Sequence, residues 1–98
     1  MSAHCYILFS PSKNRFYIGA TQDPLEDRIF KHNNHDYGKH RYTAMTNDWA
    51  LFLKIEVVDY PHAIRLEKHI KSMKSSKYIS NLKKHPELIQ KIVNKTSS

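Results

Sequence analysis

An α+β domain is what this sequence predicts, on three observations. Two short segments rich in β-branched and aromatic residues, 4–9 and 15–20, flank the turn-like Pro11-Ser12-Lys13-Asn14. A helix-start pattern follows at Asp23-Pro24-Leu25-Glu26. Beyond residue 48, one apolar strand-like run gives way to segments whose apolar residues recur at helical spacing. Ninety-eight residues without a repeat, linker or low-complexity stretch are enough for one modest core, so residues 1–98 read as a single domain.

The first two segments are most simply a β-hairpin. If Ser10 pairs near Arg15, Tyr6 falls opposite Gly19 with Tyr17 on its diagonal. Strand alternation then puts both tyrosines on one face and Cys5, Ile7, Phe9, Phe16, Ile18 and Ala20 on the other. The second set is the expected core. The tyrosine face is expected to stay partly open, with Gly19 clearing the approach for a ligand. A purely structural cross-strand aromatic pair is the alternative.

In the first helix Asp23 is the expected N-cap, Pro24 the first helical residue and Glu26 the third, as in a capping box. Leu25, Ile29 and Phe30 are its expected buried stripe. Residues 33–48 are polar, contain Gly38, and read as a long loop. Residues 49–58 suit a third strand. Pro61 opens a second helix with Ala63, Leu66, Ile70 and Met73 inward; Tyr78, Ile79 and Leu82 mark a short third. Pro86 can begin a fourth, burying Leu88, Ile89, Ile92 and Val93, before a frayed tail over 95–98.

Charge is unevenly spread. Residues 1–64 hold seven Lys/Arg and seven Asp/Glu, whereas residues 65–98 hold nine Lys/Arg against Glu67 and Glu87, which accounts for the whole net charge of +7. A polyanion suits such a patch, because each neutralised phosphate releases counterions; a solvated lysine-rich surface is the bland alternative. No run approaches the roughly 18 apolar residues of a membrane span, and no signal-peptide pattern opens the sequence. The lone Cys5 fits a reducing, cytoplasmic setting, and no membrane partner is expected. His32, His35, His40 and Cys5 lack zinc-site spacing. With no Gly-rich phosphate loop, nucleophile elbow or HExxH element, no small-molecule cofactor is expected.

Arg28 and His32 are four apart and project from one helix face, where a planar guanidinium could grip phosphate oxygens. Glu67 is the single acid between Asp59 and Glu87. Each also has an ordinary reading, as exposed helix residues and as a carboxylate pairing with Lys71 one turn on.

Taken in order, Cys5-Tyr6-Ile7-Leu8, Phe16-Tyr17-Ile18-Gly19-Ala20-Thr21, the stretch from Leu25 through Arg28 and His32 to Asn33, and Arg65-Leu66-Glu67-Lys68-His69-Ile70-Lys71 resemble the GIY-YIG nuclease family. The resemblance spans about residues 4–82, leaving 83–98 as a basic helical C-terminus. It is nearest to small stand-alone bacterial members similar to the N-terminal nuclease domain of the excision-repair protein UvrC. His4-Cys5-Tyr6 stands where the family name has Gly-Ile-Tyr. The chain leaves no room for the separate recognition domain of homing enzymes, which speaks against sequence-specific cutting.

The resemblance implies a three-stranded antiparallel sheet flanked by helices and a metal-dependent DNA endonuclease of repair or recombination, leaving 5′-phosphates. It implies that Glu67 holds Mg²⁺ or Mn²⁺, that Arg28 steadies the phosphate, and that Tyr6 is the better candidate for general base. Tyr17 would then orient water or phosphate, and His32 accept a proton or a hydrogen bond. A phenol of pKa near 10 is ionised in only about one molecule in a thousand at neutral pH, so such a base needs help. Lys31, Arg65, Lys68, Lys71, Lys74 and Lys77 are the expected nucleic-acid contacts. A binding module without turnover, or a subunit that needs a protein partner for cutting or specificity, remains open, as does DNA against RNA.

Overall fold

Antiparallel pairing starts where the sequence is most β-prone. The computed structural model describes residues 2–35 and 42–97. Strands β1 (Ala3–Ser10) and β2 (Arg15–Thr21) form the hairpin, with Ser10 opposite Arg15, Leu8 opposite Tyr17 and Tyr6 opposite Gly19. Asn14, at φ 51°, takes the left-handed conformation that lets the turn close, as asparagine readily does. Strand β3 (Ala50–Val57) pairs antiparallel along the other side of β1, giving the order β2-β1-β3. This is the expected three-stranded antiparallel sheet.

The β1–β3 ladder slips once. Ile7 faces Leu53 but Leu8 faces Leu51, so Phe52 is an extra residue bulged out of the pairing. The slip lets Phe52 join Phe16 and Phe9, with ring centroids 5.0 and 6.4 Å away.

Two apolar layers cover the two faces. On one, Cys5, Ile7, Ala20, Ile55 and Val57 pack against Ala63, Leu66 and Ile70 of helix α2 (Tyr60–Met73), with Ile79 and Leu82 of α3 (Ser76–Lys84) and Ile92 of α4 (Pro86–Lys95). Each fully buried Leu or Ile contributes roughly 1.5–3 kcal/mol of transfer free energy. On the other face, Tyr6 and Leu8 pack with Leu25 of α1 (Leu25–Asn33) and with Trp49.

Several local expectations change. No capping box forms at α1: Pro24, with ψ 136°, is the cap residue without a side-chain bond, and the Asp23 amide donates to Thr21 Oγ1 at 2.9 Å. The proline's extended conformation starts the helix one residue late and carries Asp23 out of reach of its amides. Phe30 is 65% exposed, because the buried face runs through Leu25 and His32, and residue 30 is rotated away from both. Met73, in the last turn of α2, is likewise exposed. Leu88, Ile89 and Val93 are half-buried, packed at the rim of the core around Ile92.

The expected loop contains a 3₁₀ turn, Tyr42–Met45, while its segment 36–41, with Gly38 and His40, lies outside the described residues. Thr96 and Ser97 do not fray. Arg65 Nε donates to the Thr96 carbonyl at 2.6 Å and Nη2 to that of Ser97 at 3.2 Å, which satisfies acceptors that a helix end leaves open. Asp59 caps α2 through the His62 amide, and Ser75 caps α3 through that of Tyr78.

Candidate active site

The site grows from the face that α1 covers. Alternation along β1 turns Tyr6 toward α1, and its position opposite Gly19 gives the phenol ring room to cross β2. A Cβ on residue 19 would stand 2.5 Å from both Cζ and Oη of Tyr6. Gly19 therefore accommodates the tyrosine itself, not a ligand, which corrects the expectation of an open approach. At Tyr6 and His32 the face is closed, with exposures of 0% and 3%.

Tyr6 Oη and His32 Nε2 share a hydrogen bond of 3.0 Å in the interior. The other ring nitrogen, Nδ1, meets Thr43 Oγ1 at 3.0 Å. With the imidazole proton on Nδ1, Thr43 accepts and Nε2 is free to take the phenol's hydrogen; with it on Nε2, the polarity reverses. Thr43 is itself fixed, since Trp49 Nε1 donates to its carbonyl at 2.8 Å. Asn33 then clamps the Trp49 backbone from both sides, accepting from its amide at 2.7 Å and donating to its carbonyl at 3.0 Å.

Tyr17 completes the cluster. Its ring centroid is 4.8 Å from that of His32 and 6.3 Å from that of Tyr6. It is only half-buried, and the exposed Tyr42 stacks on it at 6.2 Å and 24°. Of the two expected tyrosines, Tyr17 is the one that meets solvent.

Arg28 lies one turn before His32 on the same helix, half-buried, with Nε withdrawn from water. Glu67 is on α2, half-buried, where Lys71 Nζ approaches Oε2 at 3.4 Å. Its charge is felt by Cys5, whose thiol is pushed up to about 12, by burial first and by Glu67 second, with Lys71 acting in the opposite sense. The described contacts thus join Tyr6, Tyr17 and His32, set Arg28 a turn away, and give Glu67 its own ionic partner on α2.

Among the described residues no three carboxylate, imidazole or thiol groups form a metal-binding cluster. A single carboxylate, 18% exposed, fits an ion of the magnesium type, which keeps several waters and takes further oxygens from a phosphate. Lys31, Lys68, Lys71, Lys74 and Lys77 are exposed. Arg65 is half-buried, with Nε and Nη2 on the Thr96 and Ser97 carbonyls, which ties α2 to the end of α4.

Thr43, Asn33, Trp49 and Tyr42 were not among the expected site residues, and neither was Asp48. That carboxylate ties the hairpin turn to the approach of β3. It accepts from Ser10 and Thr46 hydroxyls at 2.5 and 2.7 Å and from the Ser12 amide at 3.0 Å.

The model of the GIY-YIG catalytic domain family matches residues 2–79, four-fifths of the chain. The chain belongs to the GIY-YIG family. GIY-YIG members are endonucleases, generally dependent on a divalent metal, so the domain has a nuclease-type function that implies a DNA substrate. The GIY-YIG match ends inside α3, which leaves α4 beyond it. Neither a curated protein nor a solved structure matches the chain at a significant level. No helix among the described residues is long and apolar enough to cross a membrane.

Proposed function

We propose that this GIY-YIG protein is a metal-dependent endonuclease that hydrolyses DNA phosphodiester bonds, acting in repair or recombination in the cytoplasm. The observation that carries the reading is the buried 3.0 Å bond between Tyr6 and His32, with the Tyr17 ring against the same imidazole. An imidazole can take a proton near neutral pH, and a water-poor setting strengthens its coupling to neighbouring phenols. Lowering a phenol's pKa by two units amounts to about 2.7 kcal/mol of differential stabilisation, within reach of a cation and a proton acceptor together.

Tyr17, the solvent-facing phenol, orients the attacking water and, having first lost its own proton to solvent, takes the water's proton as the phenolate, with the His32 ring packed beside it. Tyr6, fully buried, acts from behind by holding His32. This exchanges the roles that the family resemblance implies for the two tyrosines. Water attacks phosphorus, and the P–O3′ bond breaks with its electron pair going to O3′. The products are a 5′-phosphate and, once O3′ takes a proton from solvent, a 3′-hydroxyl. Arg28 steadies the non-bridging oxygens as charge develops. Glu67 is the residue to hold Mg²⁺ or Mn²⁺, and a bound ion supplies charge neutralisation at the phosphate and leaving oxygen.

The test is a cleavage panel of branched, damaged, duplex and single-stranded DNA, with RNA alongside, in Mg²⁺ or Mn²⁺. Cleavage by the wild type is expected, together with its loss in Glu67→Ala while DNA binding persists. Survival of every substrate overturns the reading. A second reading, in which a protein partner must bind before cutting, draws on the complete burial of Tyr6. Activity that arises only on mixing with such a partner separates the two.

A further inference from the structure

A groove of about 390 Å³ runs between the edge strand β2 and the junction of α2 with α3, apart from the tyrosine–histidine cluster. Its floor is apolar, from Phe16, Ile18 and Ile70. Its rim is cationic, from Arg15, Lys71 and Lys74. These three charges come from different places: the start of β2, the last turn of α2, and the residue that ends α2.

Among the described residues Arg15 and Lys74 form no ion pair, while Lys71 reaches Glu67. Three cations brought to one groove with a single carboxylate, Glu67, among them repel one another unless an anion is supplied from outside. Lys74 adds a second argument. Its φ and ψ are 48° and 42°, the left-handed conformation that ends many helices and that strongly favours glycine. A lysine held there is strained, and its side chain lines the groove.

We infer that this groove is a nucleotide subsite, taking one backbone phosphate among Arg15, Lys71 and Lys74 and the attached sugar or base on its apolar floor. Its volume suits a single nucleotide unit. Lys71 lies four residues, about 6 Å of helical rise, beyond Glu67, so with a metal on Glu67 the occupant is a nucleotide flanking the bond to be cut. That placement and the identity of the polyanion as DNA rest on the nuclease reading; the phosphate-binding groove does not.

The test is binding of a fluorescein-labelled duplex in EDTA, read by anisotropy across a salt series. Lys74→Gly is the informative variant, because glycine removes the cation and relieves the backbone together. Its melting temperature is expected to equal or exceed the wild type's. Its affinity near 0.15 M salt is expected to fall about threefold to tenfold, with the salt slope smaller by about 0.9. Arg15→Ala should do the same, and Lys95→Ala, on α4, should not. If Lys74→Gly and Arg15→Ala keep the wild-type slope while the wild type still cuts DNA, the groove is overturned and the nuclease reading stands. If both lose slope in a protein that never cuts, the groove stands without it. A wild type that neither binds nor cuts overturns both.

Discussion

The ring of Tyr6 crosses Gly19 so closely that a methyl group on residue 19 would lie 2.5 Å from the phenolic oxygen. Backbone lies beneath and the α1 layer above, so Gly19→Ala must push the tyrosine out of its place. Overpacking of this kind costs roughly 1–3 kcal/mol. A lowered urea midpoint and loss of cleavage are expected together, since the displaced hydroxyl leaves His32. A variant with wild-type stability and activity would show that the ring can move freely.

Thr43→Val keeps the shape of the 3₁₀ turn but deletes the hydroxyl at His32 Nδ1. Leaving a buried ring nitrogen without that partner costs roughly 1–3 kcal/mol. Cleavage should fall by about tenfold or more, and the acid limb of its pH profile should move, because the histidine's tautomer and basicity change. Thr43→Ser should restore the profile. A packing role alone would lower stability without moving the limb.

Asp48 contributes to the acid response. The Ser10 hydroxyl first, then that of Thr46, hold its carboxyl well below the usual carboxylate range, with Ser12 assisting. A depressed value in the folded state means that the unfolded chain binds the proton more readily. The stabilisation is present above about pH 4, the ordinary value, and is lost as pH falls through the folded one. Urea midpoints from pH 7 to 2 should therefore decline more steeply for the wild type than for Asp48→Asn. Parallel curves would contradict the assignment.

Cys5 gives the opposite sign. Its thiol, pushed up to about 12, stays protonated in the fold while the unfolded chain ionises near 8.5. The associated stability is complete below that ordinary value and lost as pH rises toward the folded one. A disulfide-exchange reagent at pH 8 should leave the native thiol untouched and titrate it fully in denaturant. Rapid native labelling would mean that the core above Cys5 opens easily.

The hairpin register was legible because it depends on alternation over adjacent segments: placing Ser10 opposite Arg15 fixed Tyr6 against Gly19. Helices α2 to α4 followed from their apolar spacing, with Pro61 and Pro86 marking the starts of α2 and α4. What escaped was set by contacts across long sequence gaps. Asp48 reaches Ser10 from 38 residues away, and Thr43 reaches His32 from 11, both out of a polar stretch with no periodicity. The ring of Tyr6 filling the space above Gly19 could not be separated, from sequence, from a gap left for a ligand. Arg65 looked like one more surface cation until α4 folded back to present its carbonyls. The closeness of Tyr6 and Tyr17 was readable, and their unequal accessibility was not.

The strand order β2-β1-β3 has a consequence for motion. The strand bearing Tyr6 is laddered on both sides, so its amides belong with the last to exchange with deuterium, and its tyrosine is a fixed reference. Tyr17 sits on a border strand that, among the described residues, is laddered on one side only. Any adjustment that fits the cluster to a bound strand must come from that border, leaving the middle of the sheet still.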